Sequence, residues 1–314
     1  VNEMNVLITY EGVESVRDTL ENAAPDARFH FASPDEAADL LPAINILWGR
    51  PTEEIIRAAP NLRWVQVNSA GVNQLPLQSL VDRGILLCNA RGMHGHTIAD
   101  HVMCLILAHS RSLPFRLQNQ RRRCWDRSGE AWELNGSTLG VVGLGGIGRE
   151  VARRAGAFGM HIVGTNRSGS PVPGVDEVYP NHRLDEMLPV CDYLALCCPL
   201  TPDTENMIGE RQLRLLPAGA HVVNIARGKI IVEEDLIRVL EDGHLGGAGL
   251  DVFVQEPLPE ESPLWGMENV IITPHAAGRQ KNYAEKAGRR FAENLRRWSE
   301  GRDLCWAVDY SQGY

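Results

Sequence analysis

The sequence contains no long apolar run. None approaches the roughly 18–20 residues needed to cross a bilayer, so no membrane partner is expected. Nor does the stretch Val1–Ile8 hold a basic region followed by an apolar core, so no secretory signal is expected there. Basic residues are not in excess: 31 Lys and Arg stand against 40 Asp and Glu, a net charge of -9. That balance argues against a nucleic-acid groove or an anionic membrane surface as the main partner. A small anionic substrate is still compatible, because exposed charges are screened beyond roughly 8–10 Å and a few local arginines outweigh a distant average. The seven cysteines (Cys88, Cys104, Cys124, Cys191, Cys197, Cys198 and Cys305) are odd in number and show no Cys-x-x-Cys spacing. They read as reduced, largely buried thiols of a cytoplasmic protein, and the adjacent Cys197-Cys198 fits a strand interior better than a redox pair. Internal repeats, low-complexity tracts and linker-like runs are missing as well.

What is present is a rhythm. A length of 314 residues suggests about two domains, and a composition 44% hydrophobic and 23% charged is that of a globular protein. Apolar runs suited to buried strands fall at 5–10, 44–47, 64–67 and 86–88, with helical stretches at 13–20 and 52–59 between them. Such alternation indicates parallel α/β packing. A long helical pattern at 97–112, with no strand of its own, leads through an arginine-rich segment at 116–130 into a second unit. There the strand-like runs are 138–142, 161–163, 193–197, 221–225, 246–250 and 270–272. The last segment, 282–298, is an amphipathic helix with no strands left to serve, so it is expected to return to the first unit. The predicted domains are 1–92 with 281–314, and 93–280.

Gly143-Leu144-Gly145-Gly146-Ile147-Gly148 follows the apolar strand Leu139–Val142 and opens the helical stretch Arg149–Phe158. In that context G-x-G-x-x-G predicts a dinucleotide site: glycines permit a tight turn and close approach, and the helix N-terminus meets the pyrophosphate charge. An NAD-preferring site places a carboxylate after the second strand for the ribose hydroxyls. Here that strand ends in Asn166-Arg167-Ser168. An arginine fork and a hydroxyl suit a 2′-phosphate, so NADP(H) is the expected cofactor and NAD(H) the alternative.

Three further strand ends carry apt side chains: Val223–Gly228 with Arg227, Gly249–Pro257 with Asp251 and Glu256, and Thr273–Gly278 with His275. In a doubly wound sheet, ligands gather outside the carboxyl ends of strands. Reducing a ketone builds negative charge on oxygen, which calls for a cation and a proton donor. Arg227 is permanently charged and suited to hold a carboxylate with its adjacent carbonyl. His275 is the natural acid/base, because the unperturbed pKa of a histidine, about 6.5, is close to working pH, and Glu256 would orient it and favour its imidazolium form.

These motifs, with Pro199-Leu200-Thr201-Pro202-Asp203-Thr204 and Asp251-Val252-Phe253, run in family order across most of the second unit, and the first unit fits less specifically through Ser69-Ala70-Gly71-Val72. The chain resembles the D-isomer-specific 2-hydroxyacid dehydrogenases. Among them it is most similar to the short NADPH-dependent glyoxylate/hydroxypyruvate reductases, through Asn166-Arg167-Ser168, the run Pro259–Trp265 and the closing Gly313-Tyr314. The resemblance implies two doubly wound parallel-sheet domains, a Rossmann cofactor domain inserted into a flavodoxin-like substrate domain. It also implies a homodimer built around the helix at 97–112. Arg227, Glu256 and His275 are then catalytic. The cofactor site gains Cys198, Pro199, Thr204, Ile225, Ala226, Asp251 (toward the nicotinamide) and Gly278, and the backbone of Ala70 and Gly71 would hold the substrate carboxylate. The implied reaction is hydride transfer from NADPH to a small 2-keto acid, giving the D-2-hydroxy acid.

Other features are weaker. His94, His96 and His101 lack a matching set of ligands, so no metal is expected. Trp48 either contacts the substrate or packs in the core, and Arg50 either joins it or is solvated. Arg121-Arg122-Arg123 reads as a solvated or interface run. Asn73 replaces a frequent acidic residue and blurs the substrate specificity. The rival from another class is an NAD(P)(H)-sensing protein of the corepressor type on the same fold. Formate dehydrogenase is disfavoured by Glu256 where Gln is usual, and phosphoglycerate dehydrogenase by the lack of a regulatory domain.

Overall fold

Short apolar runs with both faces buried build two parallel sheets in this chain, seen in a computed structural model that describes residues 4–33, 35–72 and 74–310. The chain divides into two units, Val1–Met93 with Gln280–Tyr314, and His94–Arg279. The fold is α/β with two parallel sheets, as the sequence predicts. Asn73 and Gly313-Tyr314, which bore on substrate choice and family likeness, lie outside the described residues.

The first unit contains β1 (Asn5–Ile8), α1 (Arg17–Ala23), β2 (Arg28–Phe31), β3 (Ile46–Trp48), α2 (Glu53–Ala58), β4 (Trp64–Gln66), α3 (Leu77–Asp82) and β5 (Leu86–Cys88). The sheet order is β2-β1-β3-β4-β5. Successive strand residues point to opposite faces. Val6, Ile8, Ile46, Trp48 and Trp64 therefore meet Leu20 of α1 and Phe291 and Leu295 of the C-terminal helix Tyr283–Ser299. Leu7, Leu47, Val65 and Leu87 face the other way, toward Ile55, Ile56 and Leu80. Burial on both sides explains why these strands read as unbroken apolar runs.

The second unit contains α4 (Gly95–Ser110), α5 (Leu113–Arg121), β6 (Thr138–Val142), α6 (Gly146–Ala157), β7 (His161–Asn166), β8 (Glu177–Pro180), α7 (Leu184–Met187), β9 (Tyr193–Leu196), α8 (Glu210–Leu215), β10 (His221–Asn224), α9 (Glu233–Glu241), β11 (Gly247–Leu250) and β12 (Val270–Ile272). The order is β12-β11-β10-β9-β6-β7-β8. Helix α4 lies on the same face as α6: Ala99, Val102, Leu105 and Ile106 join Val151, Ala152 and Ala155 over Leu139, Val141 and Val223. The chain leaves β6 toward β7 and later returns to pair β9 on the other side of β6, so the switch point lies at the carboxyl ends of β6 and β9. Among the described residues, no helix is long and apolar enough to cross a membrane.

Candidate active site

The glycine loop sits at this switch point. Gly143 has φ +98°, and a Cβ there would lie 2.8 Å from the backbone N and Cα of Cys198. Only glycine accommodates both the angle and the approach. Gly148 is packed on the Gly143 carbonyl, which would stand 2.2 Å from an added Cβ. Ile147, between them in sequence, is half-buried. Gly145 caps α6, and open space surrounds the Cβ positions of Gly145 and Gly146. The result is a shallow cradle at a helix N-terminus whose first-turn N–H groups lack intrahelical partners, which suits a pyrophosphate. Cys197 and Cys198 are the first and second residues past β9, beside this loop and not in the strand interior expected of them. Burial pushes both thiols up, Cys198 to about 11, so neither is poised for thiolate chemistry.

At the end of β7 the Asn166 side chain organises a tight loop. Its Oδ1 accepts N–H groups from Ser168 (3.1 Å), Gly169 (2.7 Å) and Ser170 (3.2 Å), while its Nδ2 donates to the Ser170 carbonyl at 2.7 Å. Arg167, Ser168 and Ser170 are exposed at the tip, and the two serine hydroxyls are 2.7 Å apart. Ser170 is a polar neighbour that spacing alone did not single out. On the other side of the switch point, Thr204 Oγ1 donates to the Pro199 carbonyl (2.7 Å) and accepts the Thr201 N–H (2.8 Å), closing the loop after β9.

The strand end of β10 is built in the same way. Asn224 accepts the Ala226 N–H through Oδ1 and donates through Nδ2 to the Arg227 carbonyl, both at 3.0 Å. Ile225 and Ala226 are buried. The next residue, Gly228, is pressed on the Phe253 carbonyl carbon, which would be 1.9 Å from a Cβ at that position. This contact lays the Arg227 segment against the Phe253–Glu256 segment. The half-buried Arg227 donates to the Ala226 carbonyl at 2.6 Å. Burial lowers its pKa, and the nearby negative charge of Glu256 opposes that shift.

Glu256 uses both oxygens. Oε1 accepts the Phe253 N–H at 3.1 Å and Oε2 meets His275 Nδ1 at 2.7 Å. With Nδ1 donating to the carboxylate, Nε2 is the nitrogen left for a ligand. The Glu256–Pro257 bond is cis, and His275 has φ +49°. Beneath them lies Asp251, whose side chain is 1% exposed. Its Oδ1 accepts the Thr273 hydroxyl (2.5 Å) and the Ala276 N–H (2.8 Å), and its Oδ2 accepts the Ala277 N–H (2.9 Å). The Gly278 carbonyl is 3.3 Å from His94 Nδ1. The three histidines once weighed as metal ligands thus have separate partners: Gly278 for His94, Glu150 for His96 and Thr273 for His101.

In the first unit the expectation for Trp48 as a substrate contact is corrected. Trp48 is fully buried, stacked on Phe291 with ring centroids 4.7 Å apart, and donates to Asn68 Oδ1 at 2.9 Å. A central strand covered on both faces leaves its last residue in the core. Arg50, two residues on, is exposed and donates to the Gln74 carbonyl at 3.5 Å. Asn89 holds the Ala70 carbonyl at 2.8 Å, and the Ser69 hydroxyl donates to the Gly71 carbonyl at 2.9 Å. Among the described residues, no hydrogen bond engages the N–H groups of Ala70 and Gly71.

Comparison with known proteins places this geometry in a family. Residues 103–277 match the D-isomer specific 2-hydroxyacid dehydrogenase, NAD binding domain. The chain is 36% identical over 293 residues to a glyoxylate reductase of Korarchaeum cryptofilum, covering 90% of this chain and 86% of that one. A crystal structure of a D-isomer specific 2-hydroxyacid dehydrogenase family protein from Aeromonas salmonicida superposes with a TM-score of 0.89 at 33% identity, over 98% of this chain and 99% of the other. The NADPH-dependent glyoxylate/hydroxypyruvate reductase of Sinorhizobium meliloti, solved with NADP and sulfate, gives 0.86 at 29% identity, over 99% and 100% of the two chains. The chain belongs to the D-isomer specific 2-hydroxyacid dehydrogenase family. It is therefore an oxidoreductase of the EC 1.1.1 type whose chemistry is NAD(P)-dependent interconversion of 2-keto and 2-hydroxy acids.

Proposed function

We propose that the chain reduces a small 2-keto acid of the glyoxylate or hydroxypyruvate kind to the D-2-hydroxy acid, with NADPH as the preferred cofactor. The observation that carries this is the pairing of His275 Nδ1 with Glu256 at 2.7 Å, with Arg227 close enough to Glu256 to feel its charge. When bound, the reduced nicotinamide supplies a hydride to the carbonyl carbon. The rest is work for side chains. Arg227 binds the keto acid's carboxylate and carbonyl oxygens and offsets the growing negative charge, an effect strengthened by its burial. His275 gives a proton from Nε2 to that oxygen, and Glu256 fixes the tautomer and stabilises the imidazolium. Within the first unit the backbone N–H groups of Ala70 and Gly71 are the groups assigned to substrate, which makes that unit the substrate domain; the second is the Rossmann domain.

The cofactor preference rests on the β7 end. Arg167, Ser168 and Ser170 offer a guanidinium and two hydroxyls, and the described loop carries no carboxylate to repel a 2′-phosphate. The cradle of Gly143, Gly145, Gly146, Ile147 and Gly148 takes the pyrophosphate, with Cys198, Pro199, Thr204, Ile225, Ala226 and Gly278 around the rest. A homodimer is proposed around α4 and the segment after it, where Leu113, Leu117, Trp125 and Trp132 are exposed, Trp125 by 93%.

NADPH oxidation followed with glyoxylate, hydroxypyruvate, phenylpyruvate and branched 2-keto acids tests the reading. Turnover of the first two, with NADPH favoured over NADH, is the expected result. No turnover of any with either cofactor overturns it.

A further inference from the structure

The relay that ends on the turn holding His275 begins on a different element, α4. His101 Nε2 lies 3.0 Å from the Thr273 hydroxyl oxygen and 3.7 Å from Asp251 Oδ1. The Thr273 hydroxyl is itself 2.5 Å from Asp251 Oδ1. In that bond the Thr273 hydroxyl is the donor and the Asp251 oxygen the acceptor. Thr273 Oγ1 is then left only as an acceptor toward His101, and His101 carries its proton on Nε2. The chain of donation runs from His101 to Thr273 to Asp251. Asp251 Oδ1 and Oδ2 in turn accept the Ala276 and Ala277 N–H groups. The His275 N–H is held as well, 2.8 Å from the Asp251 carbonyl and 3.0 Å from that of Thr273.

This arrangement solves a backbone problem. His275 sits at φ +49°, a left-handed conformation that a non-glycine residue keeps only where its surroundings impose it. The donors converging on Asp251 supply that restraint on either side of His275. We propose that His101 and Thr273 are positioning residues: through Asp251 they hold the turn that aims His275 Nε2 at the reacting oxygen. Asp251 then acts chiefly on the histidine turn, beyond the cofactor contact expected of it. The inference rests on the reading of His275 as the proton donor.

Two pairs of variants test it. His101→Leu and Thr273→Val remove the relay's donors; His101→Gln and Thr273→Ser keep one at similar reach. For the first of each pair kcat is expected to fall about 10–100-fold, the scale of a misplacement near 1 Å. The KM for the keto acid and the Kd for NADPH should stay within about twofold. The conservative partner should recover most of kcat. An unchanged kcat in His101→Leu, or a His101→Gln as impaired as His101→Leu, overturns the relay. Equal losses of kcat and cofactor binding would mark a merely structural role and also overturn it. Amide hydrogen exchange at Ala276 and Ala277 reads the same relay without turnover. Exchange should quicken in His101→Leu and Thr273→Val and return toward wild type in His101→Gln and Thr273→Ser, and no change overturns the proposal. If wild type reduces no keto acid, the functional reading fails while the exchange measurement still decides the relay. If His101→Leu does not fold, the Thr273 pair carries the test.

Discussion

At the opposite end of the second sheet from the glycine loop, two buried histidines predict a specific acid sensitivity. His221 opens β10, His109 lies near the end of α4, and their ring centroids are 4.7 Å apart. His221 is also stacked on Tyr193, whose hydroxyl accepts from Trp132 Nε1 at 2.8 Å. Burial lowers His221 to about 4. Burial first, then the neighbouring His221, lowers His109 to about 3. Among the described residues His109 Nε2 has no hydrogen-bond partner, so a proton placed there would be buried and unsatisfied.

The sign follows from linkage. Both folded-state values lie below the ordinary 6.5, so the unfolded chain takes up protons first as pH falls. The stability these neutral rings contribute is therefore complete above about pH 6.5, and it drains away between 6.5 and the folded values near 4 and 3. At pH 5 both rings are still neutral in the folded protein, so the loss depends almost wholly on the unfolded-state value. It comes to about 2 kcal/mol for each histidine, or about 4 kcal/mol together. Urea titrations of wild type and of a His109→Leu/His221→Phe double variant at pH 7 and pH 5 check it. Wild type should lose about 4 kcal/mol more than the variant across that interval, whatever the variant's stability at pH 7. Parallel losses in the two proteins would refute the reasoning.

Three other outcomes are expected. His275→Ala should lower kcat by about 10²–10⁴-fold while NADPH binding, measured by fluorescence titration, persists. Arg167→Ala should cut the ratio of kcat/KM for NADPH over NADH by about 10–100-fold, the worth of a charge-assisted phosphate contact. Asn166→Asp should lower the same ratio by putting a negative charge beside the 2′-phosphate position, and should loosen the loop by losing the donor to Ser170. Steady-state kinetics with both cofactors reads the last two.

Much of the fold was legible because central strands covered on both faces must be apolar throughout. The runs at 64–67 and 138–142 became β4 and β6 almost residue for residue. Strands β2 and β8 were not legible. Each is an edge strand, at best half-buried, which tolerates polar residues, so Arg28-Phe29-His30-Phe31 and Glu177-Val178-Tyr179-Pro180 form no unbroken apolar run. Arg227, Glu256 and His275 stood out because each follows a strand end in a short motif. The Glu256–His275 contact was an expectation across 19 residues, and only the structure gives its atoms, Oε2 and Nδ1. His101 was weighed only as a metal ligand for a related reason: its partner Thr273 is 172 residues away in sequence.

Asn166 shows why residue type and residue role separate here. In the sequence it reads as a deletion, a missing carboxylate where a ribose-binding acid is usual. In the structure its carbonyl oxygen gathers three N–H groups and its amino group donates to the Ser170 carbonyl. A carboxylate could accept the same three N–H groups but could not make the fourth bond, and it would face the Ser170 carbonyl as a second acceptor. Only the amide satisfies both halves of this loop while remaining uncharged. The loop in turn holds the Ser168 and Ser170 hydroxyls together beside Arg167. Under the proposed NADPH preference, Asn166 therefore serves twice: it places no charge where a phosphate would be repelled, and it shapes the loop that carries the candidate donors.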